Sequence, residues 1–474
     1  MKTCLKCLLI VCVILAVLFI LFISLITSAF TETIIIADHS TLEIYMNGPL
    51  QEYQPDDELS DLLNVQPRFT TMHDLRRGLA AASEDDRIDA VTIYLGAELS
   101  FSQMLEIRSL IEHFRDSGKP VYAYLEFVGN TDYLLAKSCT QVFMAPEGQL
   151  YLNKLQASVI FLKETLAKAG IEADFLHVGK YKSAPEQLTR PKMSPASQEQ
   201  FQELLYHNQS LQDSLLRLAL GEIDLDQLYK QAVFDGETAL NAGLVDSIIY
   251  EDQLQEMISG NYRSYEQISL NKYLDAIDED GSGKRIAVIY VTGTLMPGGD
   301  GDDPVLGSIS GASRIIANIR SAARSSSVSG IILRIDSPGG ASLAADMIYR
   351  EILLAKRKKP VIASVSSLAA SGGYYVAMAC DSIIATPSSI LGSIGVFMGK
   401  YNLSKLKEDI LSIKTDRILP KDKSDINLYN TDRNFTDAEK RILQDNLDRF
   451  YQRFIAKVAE TRRMPLADVE AVAQ

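Results

Sequence analysis

Apolar and polar positions divide this chain into one long apolar run, followed by alternating short strands and amphipathic helices. Residues 8–26 are apolar apart from Ser24, a run long enough to cross a bilayer as a helix. Beyond it, β-branched runs such as Pro360-Val-Ile-Ala-Ser-Val365 read as buried strands. Between them, residues 104–114 and 345–354 carry apolar side chains at helical spacing. Strands alternating with amphipathic helices predict an α/β layered fold.

The pattern occurs twice. Ile44-Tyr-Met-Asn-Gly-Pro-Leu50 matches Ile289-Tyr-Val-Thr-Gly-Thr-Leu295, both reading as a strand that ends in a glycine turn. Arg87-Ile-Asp-Ala-Val-Thr-Ile-Tyr-Leu95 matches Ser327-Val-Ser-Gly-Ile-Ile-Leu-Arg-Ile335, and Gly118-Lys-Pro-Val-Tyr-Ala123 matches Lys358-Lys-Pro-Val-Ile-Ala363. Ala136-Lys-Ser-Cys-Thr-Gln-Val-Phe-Met-Ala-Pro146 matches Ala377-Met-Ala-Cys-Asp-Ser-Ile-Ile-Ala-Thr-Pro387. The offsets run 245 (44 to 289), 240 (87 to 327), 240 (118 to 358) and 241 (136 to 377). Four matches in order indicate one duplicated domain. The expected division is a membrane anchor over 1–29, a first repeat over 30–265, a linker over 266–284 and a second repeat over 285–474. The polar stretch Asp278-Glu-Asp-Gly-Ser-Gly-Lys284 marks that linker. It is not a calcium loop, because the first and twelfth liganding positions fall on Ala276 and Ala287.

Composition adds three constraints. A chain of 474 residues has room for two or three domains. A net charge of -14 with no basic cluster argues against a nucleic-acid surface. Five cysteines are too few for a disulfide scaffold; Cys139 and Cys380 sit in apolar stretches that read as helical and are expected in the core. Lys2 and Lys6 precede the apolar run, which keeps the N-terminus cytoplasmic and sends the rest across the membrane. Thr27-Ser-Ala29 leaves a cleaved signal peptide as the alternative, although the run exceeds the usual signal core.

The copies differ where chemistry is expected. After Gly372-Gly373 the second copy begins an apolar helix, which puts Ser371 at a strand-to-helix turn. Unpaired N–H groups there favour negative charge, and glycines admit a substrate backbone. A serine at that position is most often only an N-cap. The first copy, however, has Asn130-Thr131-Asp132 where the second has Ser-Gly-Gly, and Gly96-Ala-Glu-Leu-Ser100 where the second has Asp336-Ser-Pro-Gly-Gly340. A hydroxyl nucleophile needs a neighbouring base. The histidines are His39, His73, His113, His177 and His207, all in the first copy, and His177 is the one near other candidates. No metal-binding, Walker or dinucleotide signature is present, and Gly392-Ser-Ile-Gly395 is too short for a phosphate loop. Cys4 and Cys7 have a paired spacing but border the apolar run without partner ligands. A Ser/Lys arrangement is the simplest reading. Lys182, in Val178-Gly-Lys-Tyr-Lys-Ser-Ala184, is the candidate base, since sequestration would ease loss of its proton.

These motifs, with Met193-Ser-Pro195, Gly243-Leu-Val-Asp246, Ala370-Ser-Gly-Gly-Tyr374 and Gly392-Ser-Ile-Gly-Val396, resemble the long form of the signal peptide peptidase A family. Those are membrane-anchored Ser/Lys peptidases of the ClpP/crotonase superfamily, and the similarity covers nearly everything after the anchor. The resemblance implies two tandem crotonase-like domains, the first degenerate. It implies Ser371 as nucleophile, Lys182 as base, an oxyanion hole at Gly339 and Gly340, and Ser393 as the residue that holds the lysine. It further implies hydrophobic peptide substrates such as spent signal peptides, no cofactor or metal, a homotetramer, and a bacterial inner-membrane location with the body outside the cytoplasm.

Two departures qualify it. Lys423 stands 241 residues after Lys182 and is a rival base, as short members of the family draw base and nucleophile from one domain. The first copy ends in a segment beginning at Val233, whose counterpart would begin at residue 474, so the second copy is expected to be short at its C-terminal end. Two other readings share parts of this pattern: an acyl-CoA-binding crotonase-like protein and an inactive membrane scaffold.

Overall fold

The computed structural model describes residues 34–54, 69–260, 266–277, 283–304, 306–416, 418 and 426–473. The expected anchor (1–29), most of the Asp278–Lys284 linker and Lys423 lie outside them. Among the described residues no helix is long and apolar enough to cross a membrane.

In the N-terminal half, β1 (Ser40–Pro49), α1 (Met72–Glu84), β2 (Ile88–Glu98), α2 (Phe101–Arg115), β3 (Val121–Val128), α3 (Asn130–Ala136) and β4 (Gln141–Tyr151) alternate. Strands β1 to β4 pair in parallel in that order. Parallel neighbours need helical crossovers, which α1, α2 and α3 supply. Two of these helices start on capping boxes, Thr71 with Asp74 and Ser100 with Gln103, which satisfy orphan N–H donors at the first turn. The strand β5 (Glu172–Val178) leaves this sheet, while β6 (Val233–Asp235), β7 (Ser247–Ile248) and β8 (Glu266–Ser269) rejoin its edges to complete seven strands.

The C-terminal half repeats the order. Its sheet is built from β9 (Arg285–Met296), β10 (Gly301–Asp303), β11 (Gly307–Gly311), β12 (Val328–Gly340), β13 (Val361–Ala370), β14 (Ser382–Ile384) and β15 (Ile390–Gly392). Its crossovers are α5 (Ala312–Arg324), α6 (Ser342–Ala355) and α7 (Gly372–Ala377), α4 being Pro195–Leu220 in the first half. The neighbours β9, β12, β13 and β14 are parallel, as are β1, β2, β3 and β4. The overall class is mixed α/β with two seven-stranded sheets. Each has its own apolar core, around Ile44, Ile93 and Phe114 in one and Ile335, Ile348 and Val376 in the other.

Three expectations shift in detail. Gly48 and Gly293 do not end their strands: both sit inside longer strands at φ +79° and +76°. A Cβ on Gly293 would stand 2.3 Å from the Ser308 carbonyl oxygen, so the close approach of β11 dictates glycine there. Cys139 and Cys380 are buried free thiols, but the helices before them end at Ala136 and Ala377. The helix after Ser371 is therefore shorter than its apolar composition suggests.

Among the contacts that join the halves, two sets stand close to the serine-bearing strand β13 and the loop after β15. Strand β5 pairs antiparallel with β16 (Val396–Asn402) over seven residue pairs, Val178 opposite Val396. The N-terminal end of α2 also meets β13 through polar groups. Arg334 on β12, 2% exposed, donates to both Glu52 carboxylate oxygens at 2.6 and 3.1 Å, and to Glu106 at 2.6 Å. Ser366 also donates to Glu52, and Ser100 shares a 2.6 Å hydrogen bond with Ser367. Removing one partner of such a pair strands a buried charge. Arg334→Leu is therefore expected to cost about 3–5 kcal/mol, read as a lower urea midpoint at unchanged slope. The double variant Arg334→Leu/Glu52→Leu should recover most of the loss. A single-variant loss below about 1 kcal/mol would show that the pair matters little.

Candidate active site

Strand β13 delivers Ser371 at its end, and the backbone there is strained. Ser371 has φ 53° and ψ −113°, a region that L-residues avoid. Its N–H donates to the Gly392 carbonyl at 2.8 Å. Although Ser371 precedes α7, its side chain makes no capping hydrogen bond. The structural role that serines most often fill at this position is not filled here, and the hydroxyl is left over.

The glycines around it are required by contact. A Cβ on Gly339, at φ +99°, would lie 2.9 Å from Ser371 Cβ and 2.5 Å from the Gly372 nitrogen. A Cβ on Gly373 would lie 2.6 Å from the Ser337 carbonyl oxygen. The Gly339–Gly340 turn thus lies directly against the Ser371–Gly372 step. In this state the Gly339 N–H donates to Ser337 Oγ at 3.1 Å, and Ser337 Oγ donates to the Gly293 carbonyl.

Lys182 arrives from the other half. It follows β5 through a turn at Gly179 (φ +109°), and the β5–β16 pairing places that turn beside the loop between β15 and β16. Its Nζ donates to Ser393 Oγ at 2.9 Å and to the Ser393 carbonyl at 3.0 Å. Lys182 is 5% exposed, and among the described residues no carboxylate pairs with it. Burial alone pulls its pKa down to about 8. Gly395 makes room for it: a Cβ there would meet Lys182 Cδ at 3.2 Å and the Val178 carbonyl oxygen at 2.7 Å.

Ser393, itself at φ 50°, therefore ties the parts together. Its backbone neighbour Gly392 holds the Ser371 N–H while Ser393 holds the Lys182 amine. Among the described residues no hydrogen bond joins Lys182 Nζ to Ser371 Oγ directly; resting sites often hold such groups loosely. His177 lies exposed on β5, opposite Phe397. In the first copy, Asn130 exchanges two hydrogen bonds with the Asn153 backbone, at 2.8 and 2.9 Å. The position that carries the hydroxyl in one copy is a structural clip in the other.

Two features escaped sequence reading. One is the β5–β16 sheet, which brings a lysine from the first half to a serine of the second; nothing local in either segment announces the pairing. The other is what the two glycines flanking Ser393 do: the Gly392 carbonyl accepts the Ser371 N–H, and Gly395 leaves room for the Lys182 side chain. A cavity of about 1510 Å³ lies between β9 and the segment after β1. Its walls include Tyr53, His73 and Tyr290 but neither Ser371 nor Lys182.

Comparison with known proteins finds relatives over most of the chain. Residues 113–261 and 354–474 match Peptidase family S49. The chain is 32% identical over 432 residues to a chloroplastic serine protease SPPA of Arabidopsis thaliana, covering 88% of this chain and 63% of that protein. It is 28% identical to Protease 4 of Salmonella typhi (85% of this chain, 67% of the relative) and 28% identical to Protease 4 of Haemophilus influenzae (88% and 70%). The chain thus spans about two thirds of the length of these relatives. The protein is a serine peptidase, a hydrolase. It belongs to peptidase family S49 and is signal peptide peptidase A-like over most of its length.

Proposed function

We propose that the chain is a membrane-anchored endopeptidase that works with a Ser371/Lys182 dyad completed across its two repeats. The observation that carries this reading is the buried, carboxylate-free Lys182 held by Ser393, one residue from the carbonyl that fixes Ser371. The repeats are two crotonase-like domains, the first running from residue 30 past the expected boundary at 265 to include β8 (Glu266–Ser269), and the second over 285–474, in line with their shared strand order. Residues 1–29 anchor them with the body on the extracytoplasmic side, the location the family's bacterial inner-membrane members imply. Four copies assemble, and hydrophobic peptides such as spent signal peptides are the substrates.

In this mechanism neutral Lys182 takes the Ser371 hydroxyl proton as Oγ attacks the peptide carbonyl carbon. The carbonyl oxygen becomes an oxyanion facing backbone donors of the Gly339–Gly340 turn, where no side chain intervenes. The lysine ammonium, steadied by Ser393, returns the proton to the leaving amine as the C–N bond breaks. Water, deprotonated by the same amine, then cleaves the Ser371 ester and releases the acid. No cofactor enters these steps.

A fluorophosphonate probe tests this directly. It should add one equivalent per chain, and peptide mapping should place it on Ser371. Labelling of another serine, or none in a preparation that cleaves peptides, would overturn the assignment.

A further inference from the structure

Strands β12 and β13, which end in the Gly339–Gly340 turn and in Ser371, do not run in continuous register. Ile335 pairs with Val365, but the next pair is Ser337 with Ala369. Asp336 alone therefore faces Ser366, Ser367 and Leu368, a bulge that leaves backbone donors without ladder partners. The half-buried Asp336 carboxylate accepts the Leu368 N–H at 3.0 Å, three residues before Ser371. The Ser367 N–H also favours its ionised form. On its other side β12 bulges against β9, since Asp336 pairs with Thr292 and Gly339 with Thr294. Asp336 is thus the last residue on β12 paired with β9 before a bulge, beyond which Gly339 and Gly340 resume pairing at Thr294 and Leu295. In the first copy, which lacks the hydroxyl, the residue 240 positions earlier is Gly96.

We infer that Asp336 is a positioning residue whose carboxylate pins the β13 bulge, and so fixes Ser371 relative to the Gly339–Gly340 turn. This rests on the reading of Ser371 and that turn given above. The charged groups nearest it are Glu52 and Arg334, while His73, Arg77, Asp300 and Arg314 line the same cavity. Burial first, and then Glu52, raise its pKa to about 6, so the carboxylate is ionised where Lys182 is neutral.

The test compares Asp336→Ala and Asp336→Asn with the parent enzyme on a hydrophobic reporter peptide, with Ser371→Ala as reference. A misplacement of about 1 Å can cost on the order of a hundredfold. Asp336→Ala should lower kcat by roughly that factor and leave KM within about threefold. Asp336→Asn keeps an acceptor for Leu368 without the charge, and should recover activity to within about tenfold of the parent. In the parent, log kcat/KM should fall with unit slope below pH ~8 and show an added drop of up to about tenfold centred near pH ~6, where Asp336 becomes a neutral acceptor as in the Asn variant. Asp336→Asn should keep unit slope throughout. An Asp336→Ala kcat within threefold of the parent would overturn the inference. So would equal impairment of both variants with an unchanged acid slope, since that is plain destabilisation. An active Ser371→Ala enzyme would instead sink the dyad, so the two failures are separable.

Discussion

Ser371→Ala is expected to abolish peptide cleavage, by about a thousandfold at least, while the protein stays folded. The second half follows from what the hydroxyl does in the resting structure, which is nothing structural. It makes no cap bond, so its removal leaves no buried partner unsatisfied. Stability should move by no more than about 0.5 kcal/mol. Ser371→Gly sharpens the contrast. A non-glycine residue at φ 53° and ψ −113° costs about 1–3 kcal/mol. Glycine relieves that strain, so this variant should be inactive yet more stable than the parent. The measurements are reporter hydrolysis and thermal midpoint on the same samples. Cleavage retained by Ser371→Ala would show that the nucleophile is elsewhere.

The legible part of this protein was periodic or duplicated. The β-branched run after Pro360 and the helical spacing of residues 104–114 and 345–354 correspond to β13, α2 and α6, because burial on one face writes itself into residue order. The contrast of Ser-Gly-Gly with Asn-Thr-Asp marked one copy as the reactive one, since a tight backbone approach admits only glycine. What stayed hidden depends on pairing between distant segments. β5 and β16 are each short and half-exposed, and their partnership follows from how two domains dock. The Glu52–Arg334–Glu106 network reads in sequence as ordinary surface charge, yet Glu52 and Arg334 are buried where the halves meet. Asp336 looked like part of a glycine motif. Its work is visible only against the slipped register of β13.

Replacing Lys182 by Met should cut turnover by roughly a hundredfold or more if general-base catalysis is lost, and the pH profile identifies the group. Methionine keeps length and apolar fit in a nearly closed pocket but has no proton to accept. Lys182→Arg keeps the charge but cannot give a neutral base at working pH, so it should be as inactive as Met. In the parent, kcat/KM should climb tenfold per pH unit and level off near pH 8, where burial has placed the lysine. A histidine base would instead level off near ~6.5. The same burial has a stability signature. The unfolded chain holds the lysine proton up to its ordinary value of 10.5, whereas the folded protein releases it near 8. Stability should therefore rise with pH across that window, as the unfolded state binds the extra proton. Lys182→Met should lose that rise together with its activity. Lys423→Met should keep most of both. If the two variants exchange behaviours, the second half supplies its own base and the β5–β16 junction serves architecture alone.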